Sequence, residues 1–101
     1  MEIPLNKLIE LRRNIHKHPE LANTEKKTAQ RIIEFIKPFS PDKIIDKLGG
    51  HGIAVICEGE REGKTIMIRS DMDALPIIEQ NDFSYKSVEE KISHKCGHDG
   101  H

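Results

Sequence analysis

Long apolar runs are missing from this chain. No stretch approaches the roughly 20 residues that cross a bilayer as a helix, so no membrane partner is expected. The opening Met1-Glu2-Ile3-Pro4 also lacks a basic cluster followed by an apolar stretch, and no secretory signal is expected. Charge of one sign is not in excess either. Sixteen Lys and Arg stand against seventeen Asp and Glu, a formal net charge of -1. A nucleic-acid binder concentrates a basic excess on one face, so nucleic acid is not an expected partner. The charges are interspersed rather than blocked, as on a solvated surface. Internal repeats and low-complexity segments are absent. Cysteine is scarce, with Cys57 and Cys96 alone. Cys57 lies in an apolar run and reads as a small buried hydrophobe. A Cys57–Cys96 disulfide is the lesser alternative, because the chain reads as cytoplasmic and cytosolic thiols stay reduced. Apolar residues are scarce as well, at 36% beside 33% charged residues in 101 positions. Such a chain is one small domain with a lean core.

What is present falls into a helical first part and a β-rich second part. Pro4 suits the first turn of a helix. Leu5, Leu8, Ile9 and Ile15 recur at helical spacing and predict an amphipathic helix from about Pro4 to His16. His18-Pro19 ends it, because the residue before proline resists the helical region. Asn23 or Thr24 is the expected cap of a second helix, with Ala29, Ile32, Ile33 and Ile36 as its apolar stripe and Pro38 and Pro41 as its stop. Lys43 to Leu48 is short and β-rich. Gly49-Gly50-His51-Gly52 reads as a tight turn, and no helix with a phosphate-binding lysine follows it. Ile53 to Cys57 and Lys64 to Arg69 both read as strong strands, joined by a charged hairpin loop from Glu58 to Gly63. The Lys64–Arg69 strand is apolar on both faces, as in a sheet covered on both sides. Ile77 to Lys95 has little periodicity and reads as a long functional loop. The fold class is therefore α/β: two helices, a β-strand hairpin region and a metal-ligand loop.

Three segments carry candidate chemistry. Asp71-Met72-Asp73-Ala74-Leu75-Pro76 follows a predicted strand, and ligands gather at the carboxyl ends of strands in open α/β sheets. Carboxylates at i and i+2 in an extended segment point the same way. They suit a cation, a histidine ligand in need of orientation, or a catalytic water. Equally, they suit a plain turn capped by acids before proline. His94-Lys95-Cys96-Gly97-His98-Asp99-Gly100-His101 sets a thiol, a carboxylate and imidazoles side by side. Cys96 and His98 can reach one metal if the backbone between them is tight, which Gly97 permits. The spacing is not that of a zinc finger. An exposed tail and a cysteine nucleophile paired with histidine are the other readings. His16 and His18 close the first helix, where histidines more often meet the last carbonyls and the helix dipole than a metal.

Together these segments resemble one family. Leu11 to Leu21 is similar to its amino-terminal signature, Gly49 to Ile53 to its glycine turn, Arg69 to Pro76 to its acidic motif and His94 to His101 to its metal-ligand motif. The family is the amidohydrolase branch of the dinuclear-metal aminoacylase and carboxypeptidase superfamily. It includes hippurate hydrolases, N-acyl-amino-acid amidohydrolases and N-acetyldiaminopimelate deacetylases. The resemblance spans essentially the whole chain. It implies a metal-dependent hydrolase acting on the amide bond of a small N-acyl amino acid. Two divalent ions per complete site are implied, with zinc, manganese, cobalt and nickel all compatible. Cys96 and His98 match two metal ligands, the thiolate placed to bridge. Asp71 and Asp73 match the acidic motif beside the metals and are the catalytic residues expected here. His101 matches a position beside the site.

The departures matter as much. Family members run to several hundred residues, with a homodimer expected of the complete enzyme. Their paired glutamates, two more histidine ligands and a lid or dimerisation domain come after the matched segment. Residues 1–101 are thus expected to be an incomplete amino-terminal part of the hydrolase domain, inactive alone. Lys95 stands where alanine is usual; its charge repels a metal but favours the thiolate. The alternative from another class is a small non-catalytic metal-binding or interaction module using the carboxyl-terminal Cys/His cluster.

Overall fold

The structure is a computed structural model that describes residues 2–101. Its elements run α1 (Leu5–Lys17), α2 (Lys26–Ile36), a 3-10 turn (Lys37–Phe39), β1 (Lys43–Leu48), β2 (Gly52–Ile56) and a second 3-10 turn (His98–Gly100). Pro4 sits one residue before α1, where its carbonyl accepts the Lys7 and Leu8 N–H groups at 3.1 and 3.4 Å. The helix gives way at His18, whose φ of -120° is that of a residue held extended by the proline after it.

The start of α2 differs from expectation. Neither Asn23 nor Thr24 caps it; the residue before the helix is Glu25, which makes no side-chain cap. The Thr24 hydroxyl donates instead to the Leu21 carbonyl at 2.8 Å. The free N–H groups of the first turn are taken from outside the helix. Glu20 accepts the N–H of Thr28, the hydroxyl of Thr28 at 2.8 Å and the N–H of Lys27 at 3.3 Å. A carboxylate facing the positive end of a helix is stabilised both by those hydrogen bonds and by the dipole.

The strands pair β1 with β2 in an antiparallel hairpin, with Lys43 opposite Ile56, Ile44 opposite Val55 and Ile45 opposite Ala54. An irregularity between Ile45 and Leu48 brings Leu48 opposite Gly52. A β-carbon at Gly52 would lie 2.5 Å from the Leu48 carbonyl oxygen, so only glycine fits that closure. The expected hairpin between Ile53–Cys57 and Lys64–Arg69 does not form. The partner of β2 is β1, and 64–69 lies outside any ladder, with Ile66, Met67 and Ile68 each more than 80% exposed. Ile53–Cys57 is a strand as expected, within a residue, but Lys64–Arg69 is not one. Cys57, expected inside, is exposed for the same reason, just past the end of β2.

The interior is mostly polar. Ile15, Ala29 and Ala74 are the buried apolar residues among those described, whereas His16, Thr28, Glu79, Ser87, Ser93, His94 and Asp99 are buried and polar. Two isolated bridges complete the frame. Leu21 pairs with Ala74 and Leu75 with Ser93. The Ala74 N–H donates to the Glu20 carbonyl at 2.8 Å, while Leu75 and Ser93 exchange two backbone hydrogen bonds at 3.0 Å. The acidic segment is thereby held between the end of α1 and the carboxyl-terminal loop.

Candidate metal site

The bridge at Leu75 sets the position of Asp73, and the turn after Cys96 sets that of His98. Gly97 adopts φ 90°, a left-handed conformation that opens the 3-10 turn and that other residues resist. The turn closes with Gly100 N–H donating to Gly97 O at 2.9 Å. His98 then faces Asp73: Nδ1 lies 2.9 Å from Asp73 Oδ1 and 3.3 Å from the Asp73 carbonyl oxygen. Both neighbours are acceptors, so Nδ1 carries the proton and donates. Nε2 is left with its lone pair outward, 4.0 Å from Asp71 Oδ2 and beyond hydrogen-bond reach. A carboxylate that fixes the tautomer of a histidine in this way is the usual support of a metal-binding imidazole.

Cys96 is exposed, and its sulfur lies 4.0 Å from the same Asp73 carbonyl. Asp73 thus brings Cys96 and His98 together. Asp71 reaches the edge of this group but is gripped by Arg69, whose two guanidinium nitrogens donate to its carboxylate at 2.7 and 3.1 Å. The His101 ring stands 5.3 Å from that of His98. A cleft of about 870 Å³ opens beside these residues, bordered by Arg12, Ile15, Asp71, Asp73, His98 and His101. The thiol and the free imidazole nitrogen fit a borderline divalent cation in chemistry, but as a partial set. Among the described residues no three His, Cys, Asp or Glu side chains converge on one metal position, whereas a tetrahedral site takes four ligands.

A second polar cluster lies behind this one, and the sequence did not reveal it. His16 was expected to meet helix carbonyls; it does not. Its Nδ1 is 2.9 Å from Asp99 Oδ2 and its Nε2 2.7 Å from Glu79 Oε2. Arg12 Nε adds a contact to Asp99 at 3.4 Å. Burial pushes the Glu79 carboxyl up, but hydrogen bonds from Asn81, the Ser87 N–H and His16 outweigh it and hold the group at about 2. Those partners lie 63 and 83 positions from His16, so no local pattern could find them; only the adjacency of Asp99 to His98 hinted at its place. His18 stays structural: its N–H closes α1 on the Asn14 carbonyl at 3.1 Å. His94 is buried with neither ring nitrogen hydrogen-bonded, and burial pushes its pKa down, which favours the neutral ring.

Known proteins are similar along nearly the whole of this chain. No family model matches the chain. It is 38% identical over 97 residues to an N-acetyldiaminopimelate deacetylase of Bacillus cytotoxicus, covering 96% of this chain and 26% of that protein. It is 40% identical over 94 residues to an N-acyl-L-amino acid amidohydrolase of Geobacillus stearothermophilus, covering 93% and 25%. The crystal structure of the Bacillus subtilis YXEP protein, described as a dinuclear metal-binding peptidase of the M20 family, superposes with a TM-score of 0.88. Its identity is 36%, over 95% of this chain and 27% of that one. The chain therefore spans about a quarter of the length of the relatives it matches. Sequence and fold agree along nearly all of that span: the chain is similar, over about a quarter of their length, to amidohydrolases and to a dinuclear metal-binding peptidase of the M20 family.

Proposed function

We propose that residues 1–101 form the amino-terminal part of a metal-dependent hydrolase domain that cleaves the amide bond of small N-acyl amino acids in the cytoplasm. The observation that carries this is the His98 imidazole, fixed by Asp73 through Nδ1 and offering Nε2 beside the Cys96 thiol. Cys96 and His98 would hold the metal. Asp73 keeps the His98 ring turned and its tautomer fixed. Arg69 neutralises Asp71 at the mouth of the cleft. The chemistry that bound divalent ions would supply there is Lewis acidity and a more acidic bound water. The proton acceptor is assigned to a glutamate outside residues 1–101, as the family resemblance implies. The lid domain, the remaining ligands and any homodimer contact are assigned there too.

On this reading the 101-residue chain alone is inactive, because two ligands do not complete a site. The non-catalytic metal module is the weaker reading, since a self-contained zinc module folds around four converging ligands and no three converge among the described residues. The test is hydrolysis of N-acetyl amino acids by the natural protein loaded with divalent metal. Cys96→Ser should lower kcat/KM by about 100-fold or more, with metal content falling in parallel. Hydrolysis untouched by that exchange, or full activity in the 101-residue chain by itself, would sink the assignment.

A further inference from the structure

His16 lies outside the donor set, yet it holds the turn that carries the set. Both of its ring nitrogens lie within hydrogen-bond distance of carboxylate oxygens, Asp99 on one side and Glu79 on the other. The ring is thus held between two acidic side chains, one at each nitrogen. It is 6% exposed, with Phe83 and Tyr85 standing edge-on at 5.7 Å between ring centroids. Those two rings stack on each other at 4.1 Å, and the Arg13 guanidinium covers Tyr85 at 4.6 Å. The ring therefore has little freedom to turn. Asp99 is the residue after His98, inside the same 3-10 turn. Glu79 is tied in its turn to Asn81 and to the Ser87 N–H.

We propose that His16 is a positioning residue for the metal-ligand turn: from α1 it grips Asp99 and so sets where His98 and Cys96 sit. The proposal rests on the metal site assigned above. It adds a residue 82 positions away from His98 that touches neither metal nor substrate. The Nδ1 arm acts on the turn. The Nε2 arm holds the ring from behind through Glu79.

The two arms can be cut separately. A glutamine amide nitrogen falls near the place of imidazole Nε2, and an asparagine amide nitrogen near that of Nδ1. Cobalt(II) is titrated into the natural protein, and its affinity and thiolate charge-transfer band are read at a temperature where circular dichroism shows each variant folded. His16→Gln should weaken cobalt binding by about 10- to 100-fold and diminish the band, the usual loss for an outer partner of a ligand. Asp99→Leu, which removes the acceptor at similar size, should do the same, and the double variant no worse than either. His16→Asn, which keeps the arm to Asp99, should bind nearly as the wild type does.

A purely structural role would lower the melting temperature and leave the affinity of the folded protein alone. Wild-type affinity in His16→Gln, equal losses in His16→Gln and His16→Asn, or additive losses in the double variant would each overturn the proposal. If His16→Gln does not fold, Asp99→Leu decides by itself: wild-type affinity overturns the proposal and a tenfold loss supports it. Cobalt binding through Cys96 without amide hydrolysis defeats the functional reading and leaves this one standing. No cysteine-dependent band in the wild type defeats both.

Discussion

Asp73 and Glu79 are both carboxylates paired with histidine, and their surroundings give them different work. Asp73 is open to the cleft and turns one imidazole so that its other nitrogen is available. Glu79 is buried, with every neighbour donating to it. Its carboxyl is held at about 2 against an ordinary 4.5, so folding favours the ionised form. A carboxylate depressed in the folded state stabilises the fold above its unfolded value, and that contribution disappears as pH falls through the folded one. The window is therefore from about 4.5 down to about 2, and linkage puts the full effect on the order of 3 kcal/mol. Glu79→Gln should lower stability near neutral pH and flatten the acid limb in this window. Denaturant unfolding followed from neutral pH downward checks it; parallel acid limbs in the two proteins would remove Glu79 as the cause. Residues of this kind were the least legible in the sequence. Cys96 and His98 are two positions apart and announced themselves by spacing. His16, Glu79 and Asp99 meet only after the chain has folded, so their types were visible but their partnership was not.

Among the elements, helices and turns were readable because their signals are local. Pro4, the apolar spacing and His18-Pro19 bound α1 to within a residue, and the glycine turn joins β1 to β2 as its composition implies. The errors came where an element is completed by something distant. The Lys64–Arg69 pattern is that of a strand, but a strand exists only with a partner, and β2 had already paired with β1. The cap of α2 was sought in the adjacent Asn23 and Thr24, whereas Glu20 supplies it from the far side of the turn. Glu20 does more than cap: its carbonyl takes the Ala74 N–H and so anchors the acidic segment. Because backbone makes that second contact, the side chain can be tested alone. Glu20→Ala should cost about 1–2 kcal/mol, the range for losing a helix cap, while Glu20→Gln, which can still accept, should recover much of it. Midpoints of denaturant unfolding compare the three; an alanine variant with the wild-type midpoint would show that Glu20 does not secure α2.

At the scale of the molecule, the fold is looser than its length requires. The Cα radius of gyration is 14.9 Å, where about 13 Å is usual for a compact chain of 100 residues. The buried apolar residues are few and small, and the stripes of both helices are only partly covered: Leu8 and Ile9 of α1 remain about 40% exposed. Burial of apolar surface is the main favourable force in folding, so a structure with this little of it leans on its polar clusters. Among the described residues the most exposed large apolar side chains are Ile66, Met67 and Ile68, between 84% and 91% exposed. Three such residues in succession, with their backbone outside any ladder, are what other chains pair with. The 101-residue chain purified alone should therefore self-associate as its concentration rises. The double exchange Ile66→Lys with Ile68→Lys should suppress this, because like charges on adjoining copies repel and lysine blunts an edge. Neither side chain contributes to the buried set, so the fold should survive the change. Light scattering coupled to size exclusion over a concentration series reads the outcome. A monomer at every concentration would show that this surface is tolerated in water, and association that persists in the lysine variant would locate the sticky surface on the half-covered helices instead.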